Sequence, residues 1–376
     1  MDSGATSFPK APGVAEKVYE YLKHVGANVN RGTYASSFEV ENVVFETREL
    51  LCSFFGFDKP ENVVFTKNIT EGLNVLIKGL FKEGDHVIVS SVEHNAVMRP
   101  LNALKEKGIT FSKVPCNVDG SLIYKELLPL IGAKTKGLVM THGSNVSGTI
   151  LELEKVGSIC KEKGLKFIVD SAQTAGSVKV DFDDLSADAI GFTGHKGLLG
   201  PQGIGGFLIK DSLANELTTF IEGGTGSLSD IELQPDYMPD KFEAGTPNVP
   251  GIYGLNAALK YLRELGIESI YEKEMKLVSV FLEALINMDH IEVIGRKDAK
   301  NRTGIISINF LDKDNGEMAH RLFSEFGIMT RSGMHCAPSA HTTLGTFPGG
   351  TVRFGLSHFL EEEDILYAID KLYKLR

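Results

Sequence analysis

From residue 62 onward, short and nearly uninterrupted apolar runs alternate with longer segments of helical periodicity, and this alternation constrains the fold more than anything else in the chain. The runs at residues 63–66, 86–90, 110–114, 137–141, 165–170, 189–193 and 206–209 read as strands. Helical spacing fills much of what lies between, near 70–81, 96–107, 122–131 and 153–163. A strand apolar on both faces belongs in a sheet covered on both sides, and helical crossovers between strands make that sheet mostly parallel. The expected fold is therefore α/β, with a seven-stranded sheet in a large domain over residues 16–256. Helices at 14–25 and 38–55 precede it, joined by the polar loop Asn28-Val-Asn-Arg-Gly-Thr-Tyr34. A smaller α+β C-terminal domain is expected over 257–376, with residues 1–15 packing against it. A helical stretch at 252–288, broken near Gly266, leads into that domain. In a mostly parallel sheet, ligands gather at the carboxyl ends of the strands.

Two loops at those strand ends are chemically distinctive. In Ala189-Ile-Gly-Phe-Thr-Gly-His-Lys196 an apolar run breaks into a polar, Gly-rich turn that carries one lysine among small residues. Burial lowers a lysine's pKa and leaves its amine free to add to an aldehyde. Asp170 closes the run at 165–170, one strand earlier. An aspartate and a lysine placed in this way suit pyridoxal phosphate, whose ring nitrogen needs an anion and whose aldehyde needs an amine.

Asp170-Ser-Ala-Gln173 and then Thr193-Gly-His-Lys-Gly-Leu-Leu-Gly-Pro-Gln-Gly-Ile-Gly205 resemble the signature of class V, fold-type I pyridoxal phosphate enzymes. Within these, the chain is similar to the cysteine desulfurase and selenocysteine lyase branch. The resemblance implies that Lys196 holds the cofactor and later moves the substrate's Cα proton. It implies that Asp170 keeps the ring nitrogen protonated and that Gln173 bonds the ring hydroxyl. His94 would stack on the ring and assist proton transfer, with Asn145 beside cofactor or substrate. Thr70, Thr193 and His195 would bind the phosphate. Thr246 would reach the phosphate of a neighbouring subunit, making a homodimer the active unit. Ile69 stands where the family often has a second hydroxyl.

The run Arg331-Ser-Gly-Met-His-Cys-Ala-Pro338 resembles the loop Arg-Thr-Gly-His-His-Cys-Ala of the second group of cysteine desulfurases, whose cysteine takes up the substrate's sulfur. Here Met334 replaces a histidine and the sequence after Ala337 departs from the usual continuation. Arg353, in Gly-Thr-Val-Arg-Phe-Gly, resembles the family's clamp for the substrate carboxylate, a task suited to a planar guanidinium fork. Taken alone, each residue has a plainer reading. Thr70 would be a helix N-cap, His94 a solvated loop residue, Arg353 a strand-edge ion pair and Cys336 an inert thiol.

Composition narrows the function classes. A formal net charge of −10 argues against a general binder of nucleic acid or anionic membrane, and no apolar run is long enough to span a bilayer. The four cysteines show neither Cys-x-x-Cys pairing nor zinc spacing, so no metal is expected and a reduced, cytosolic protein is. The expectation is a homodimeric, pyridoxal phosphate-dependent cysteine desulfurase. It would turn L-cysteine into L-alanine and a persulfide on Cys336, with a sulfur-acceptor protein as a further partner. A selenocysteine lyase would use the same residues. A transaminase, epimerase or desulfinase would leave Cys336 a bystander, and a cofactor-bearing scaffold would be no enzyme at all. The intact set of Asp170, Gln173 and Lys196 argues against the scaffold.

Overall fold

The computed structural model describes residues 1–29, 32 and 34–376. Asn30, Arg31 and Thr33, in the polar loop expected over 28–34, lie outside the described residues. Helix α1 (Val14–Glu20), extended by a π turn at Tyr21–Val25, and α2 (Ala35–Phe55) come first. The large sheet is then laid down through β1 (Val63–Thr66), α3 (Ile69–Leu80), β2 (His86–Ser90), α4 (Asn95–Leu104) and β3 (Thr110–Val114). It continues through β4 (Thr135–Thr141), α5 (Leu153–Lys163), β5 (Lys166–Asp170), β6 (Ala189–Thr193) and β7 (Gly205–Ile209). After the short α6 (Asp211–Ala214), residues 215–248 are irregular up to α7 (Val249–Leu265). The remainder is α8 (Ile267–Ile286), β8 (Ile291–Ile294), β9 (Ile305–Phe310), α9 (Asn315–Phe326), β10 (Arg331–Gly333), α10 (Pro338–Thr343), β11 (Thr351–Gly355) and α11 (Glu362–Lys374).

The seven strands of the large sheet run in the order β1-β7-β6-β5-β4-β2-β3. Strands β2 to β6 pair in parallel, and β7 is antiparallel to both its neighbours. The mostly parallel sheet expected from the sequence is therefore present. Its strands are apolar throughout because both faces are covered. Alternate residues of one strand enter different cores, as a period of two requires. Phe167 and Val169 of β5 join a core with α2, α5 and α7, whereas Ile168 between them joins a core with α3 and α4.

A second sheet, β10-β11-β9-β8, is antiparallel throughout, with Phe281, Ile308, Phe354 and Leu372 in its own core. A division at residue 257 falls inside α7, an unbroken helix whose Ile252, Leu255 and Leu259 belong to the large sheet's core. We place the division in α8, from which Met275 and Leu277 onward pack against the small sheet's core. The expected helix over 122–131 is instead two short 3-10 turns, Tyr124–Glu126 and Leu128–Leu130. Pro129 has no N–H for an α-helical bond and disfavours helical geometry at Leu128. Residues 1–11 touch both units, not only the smaller one. Asp2 bridges Gly355 of β11, while the Ser7 and Ala11 amides donate to the His195 and Leu199 carbonyls. Among the described residues no helix is long and apolar enough to cross a membrane.

Candidate active site

Parallel pairing sets Thr141 and Asp170, the last residues of β4 and β5, side by side, with Asp170 next to Gly191 and β6 running on to Thr193. The loops leaving those strands enclose a cleft of about 300 Å³. Asp170 is buried, and its Oδ1 accepts the Ala172 amide at 2.9 Å. Burial raises its pKa, while the Ala172 N–H and nearby Lys196 favour the charged form. Lys196 follows β6 on a tight turn and is half-buried against the cleft. Burial brings its amine down to about 8 against the pull of Asp170, and Arg353 and Arg331 lower it further.

Close approach of two backbones makes this pairing of loops possible. A Cβ on Gly176, whose φ is +92°, would collide with the Gly197 carbonyl, and a Cβ on Gly197 would collide with the Ala175 carbonyl. Glycine at both positions lets the loop after Asp170 lie directly on the turn that carries Lys196.

His94 is the N-cap of α4 and is not a solvated loop residue. Its Nδ1 accepts the Ala96 amide at 3.0 Å, so in the neutral ring the proton sits on Nε2. Burial, followed by Lys196, Arg331 and Arg353, pushes its pKa down to about 4. The ring therefore stays neutral near pH 7. His195 is also pushed down to about 4, by burial and then by Lys196 and Lys10, with Nδ1 3.1 Å from the Thr6 hydroxyl.

Asn68 rather than Thr70 caps α3, its side chain accepting the Glu71 amide at 3.0 Å. Thr70 lies exposed in the first turn and lines the cleft opposite Thr193. The Thr193 hydroxyl is buried and has no hydrogen-bond partner among the described residues. Gln173 donates to the Gly4 carbonyl at 3.2 Å, and Asn145 donates to the His335 carbonyl at 2.7 Å. Arg353 is 1 % exposed in the interior strand β11, donating to the Asn145 carbonyl at 3.0 Å.

Cys336 and Thr246 do not line the cleft. Cys336 is exposed on the loop after β10, with Arg331 Nη2 4.0 Å from its Sγ and its carbonyl held by the Asn95 amide at 2.8 Å. Arg331 itself lines the cleft, so the thiol stands at the rim. The other cysteines are buried, and burial pushes their thiols to about 12, 11 and 12 for Cys52, Cys116 and Cys160. Thr246 is exposed in the irregular chain before α7.

Sequence reasoning missed four contributors. Glu93 is fully buried behind His94, accepting the Thr141 amide on both oxygens at 3.0 Å and the Ser90 amide at 3.3 Å. Burial pushes it up to about 8. Arg331, His335 and Asp2 are the others, the first two lining the cleft and Asp2 pairing with Arg353. A lone acidic residue at a strand end gives no sign of burial, and Asp2 meets Arg353 only through the tertiary fold.

The residues present suit pyridoxal phosphate. An unpartnered buried hydroxyl beside a helix N-terminus fits a phosphate. An amine at about 8 fits an aldehyde, and a buried carboxylate at the same strand level fits a protonated ring nitrogen.

Fold and cleft together define a fold-type I pyridoxal phosphate enzyme architecture. The chain belongs to the aminotransferase class-V family, whose model matches residues 1–367. It is 36% identical over 387 residues to a probable cysteine desulfurase of Pyrococcus abyssi, covering all of this chain and 94% of the relative. It is 33% identical over 371 residues to one of Methanothermobacter thermautotrophicus, covering 97% and 91% of the two chains. Among solved structures, an apo cysteine desulfurase from Thermococcus onnurineus superposes with a TM-score of 0.93 at 32% identity, over 100% of this chain and 93% of that one.

Proposed function

We propose that the chain is a pyridoxal phosphate-dependent cysteine desulfurase, converting L-cysteine to L-alanine while Cys336 takes up the sulfur. One observation carries this reading. A single exposed cysteine stands at the rim of a cleft that holds a low-pKa lysine, a buried aspartate and a buried arginine. The names of the relatives support it.

Pyridoxal phosphate, when bound, supplies an aldehyde for amines and a ring that accepts electrons. Thr193, Thr70 and His195 would hold its phosphate, Asp170 its ring nitrogen and Gln173 its hydroxyl. Lys196 accepts the substrate's Cα proton on Nζ, a task that burial helps by bringing the amine down from 10.5 to about 8. His94 keeps a proton on Nε2 that it can donate. Arg353 binds the substrate carboxylate, and Asn145 fixes the strand ends around it. Cys336 Sγ attacks the substrate sulfur. An S–S bond forms as the C–S bond breaks, and the released electron pair ends in the methyl C–H of alanine. No outside oxidant is needed.

We further propose a homodimer in which Thr246 completes the partner's site. Exposed apolar side chains on α2 (Phe38, Phe45) and in the irregular chain (Ile231, Leu233) support such an interface. The exposed Cys336 is also placed to pass its sulfur to an acceptor protein. All four cysteines are free, which supports a reducing, cytoplasmic setting. The test is turnover of L-cysteine by cofactor-loaded protein under reductant, with both products quantified. Equal sulfide and alanine are expected, and alanine formation at the same rate by Cys336→Ala would overturn the reading.

A further inference from the structure

Residues 1–10 form a strap along the cleft, which Gly4 and Ala5 line. At one end the Gly355 amide donates to the Met1 carbonyl at 2.9 Å, and the Ser3 amide donates to the Gly355 carbonyl at 3.3 Å. At the other end the Ser7 amide, the Thr6 and Ser7 hydroxyls and the Lys10 ammonium all donate to the His195 carbonyl, beside Lys196. Gly4 lies between, so close to Arg353 that a Cβ there would be 3.3 Å from Cζ.

The strap delivers a carboxylate to Arg353. Asp2 Oδ1 lies 3.4 Å from Arg353 Nη2, and among the described residues this is the arginine's one ion pair. The guanidinium is far from satisfied. Nη1 has the Asn145 carbonyl at 3.0 Å, the Asp2 contact is long, and Nε is buried without a partner among the described residues. A guanidinium carries five N–H donors, and burial makes an unpaired cation costly. Asp2 holds the charge loosely and leaves donors to spare.

We propose that Asp2 is a built-in competing counter-ion that sets the affinity of Arg353 for the substrate's carboxylate. This rests on the reading of Arg353 as the carboxylate clamp. Asp2 keeps the arginine in place before substrate arrives and must share it or yield afterwards. Two carboxylates a few ångströms apart on one buried cation, the Asp2 carboxylate being itself partly exposed, repel enough to weaken the second by about tenfold. Asp2 can yield, since its side chain is 30% exposed and it lies near the start of the strap. Asp2 is thus a positioning residue that trades substrate affinity for an ordered arginine.

The test is calorimetric titration of cofactor-loaded protein with propionate, a carboxylate that has no amine and so cannot react, together with L-cysteine kinetics. Asp2→Asn is expected to bind propionate about tenfold more tightly and to lower KM for L-cysteine comparably, with kcat little changed. Asp2→Glu, which keeps the charge, should restore native values. If Asp2 served only to tie down the strap, Asn would raise KM and weaken propionate. That result, or unchanged affinity, overturns the proposal. Arg353→Gln separates the two claims. If it abolishes propionate binding while Asp2→Asn changes nothing, the clamp stands and the counter-ion role is wrong. If it binds propionate as well as the native protein does, the clamp itself fails.

Discussion

Lys196 is where burial is converted into chemistry. Its amine lies at about 8, not at the ordinary 10.5, chiefly because burial penalises the ammonium. A folded pKa below the ordinary value means that the neutral amine gains ground as pH rises toward 8 and is already dominant above it. The rate of pyridoxal phosphate uptake by the apoprotein, followed by visible absorbance, should therefore rise about tenfold per pH unit below 8 and level off above it. A rate still climbing toward 10.5 would mean an ordinary, solvated lysine. This residue was legible in the sequence only together with Asp170 one strand earlier, because a lone lysine in a Gly-rich turn is more often a solvated hairpin residue. Glu93 was not, because its raised pKa comes from complete burial, which only the fold brings about, and the Thr141 and Ser90 amides that pull it back toward the charged form are also brought to it by the fold. His94 lines the cleft, but its tautomer comes from capping α4, which the sequence pattern did not reveal.

At the scale of elements, the strands were easy to read and the turns between them less so. Seven apolar runs became the seven strands of the large sheet because two-sided burial leaves its mark on every residue of a strand. The small sheet was read only in part. β10 is three residues long on an edge, too short to show a period, and β8 is four residues long with an exposed Glu292 within it. The apolar spacing at 122–131 suggested a helix, but Pro129 won locally and left two 3-10 turns. The element that matters most for the site is the contact between the loop after β5 and the turn after β6, where Gly176 and Gly197 meet. Gly197→Ala should force these backbones apart at an overpacking cost of about 1–3 kcal/mol. The expected result is a melting temperature lowered by a few degrees, an unchanged far-ultraviolet spectrum and a marked loss of bound cofactor. Native cofactor retention in this variant would show that the two loops need not touch.

At the scale of the molecule, the two sheets and the strap each contribute to one cleft: Asp170 and Lys196 from the large sheet, Arg353 from the small one, and Gly4 and Ala5 from the strap, whose Asp2 pairs with Arg353. The expected domain boundary fell inside α7 because a helix that begins in one unit and ends beside another carries no break in its sequence pattern. If Thr246 completes a partner's site, mixing an inactive Lys196→Ala chain with an inactive Thr246→Val chain should recover part of the activity through hybrid dimers. An active monomer in sedimentation would exclude this arrangement. The central claim is that sulfur passes from L-cysteine to Cys336, and mass spectrometry of the cysteine peptides after a single turnover without reductant tests it most directly. The account predicts one added sulfur on the Cys336 peptide, none on those of Cys52, Cys116 and Cys160, and one alanine per site. Alanine formed with the Cys336 peptide unchanged would contradict it.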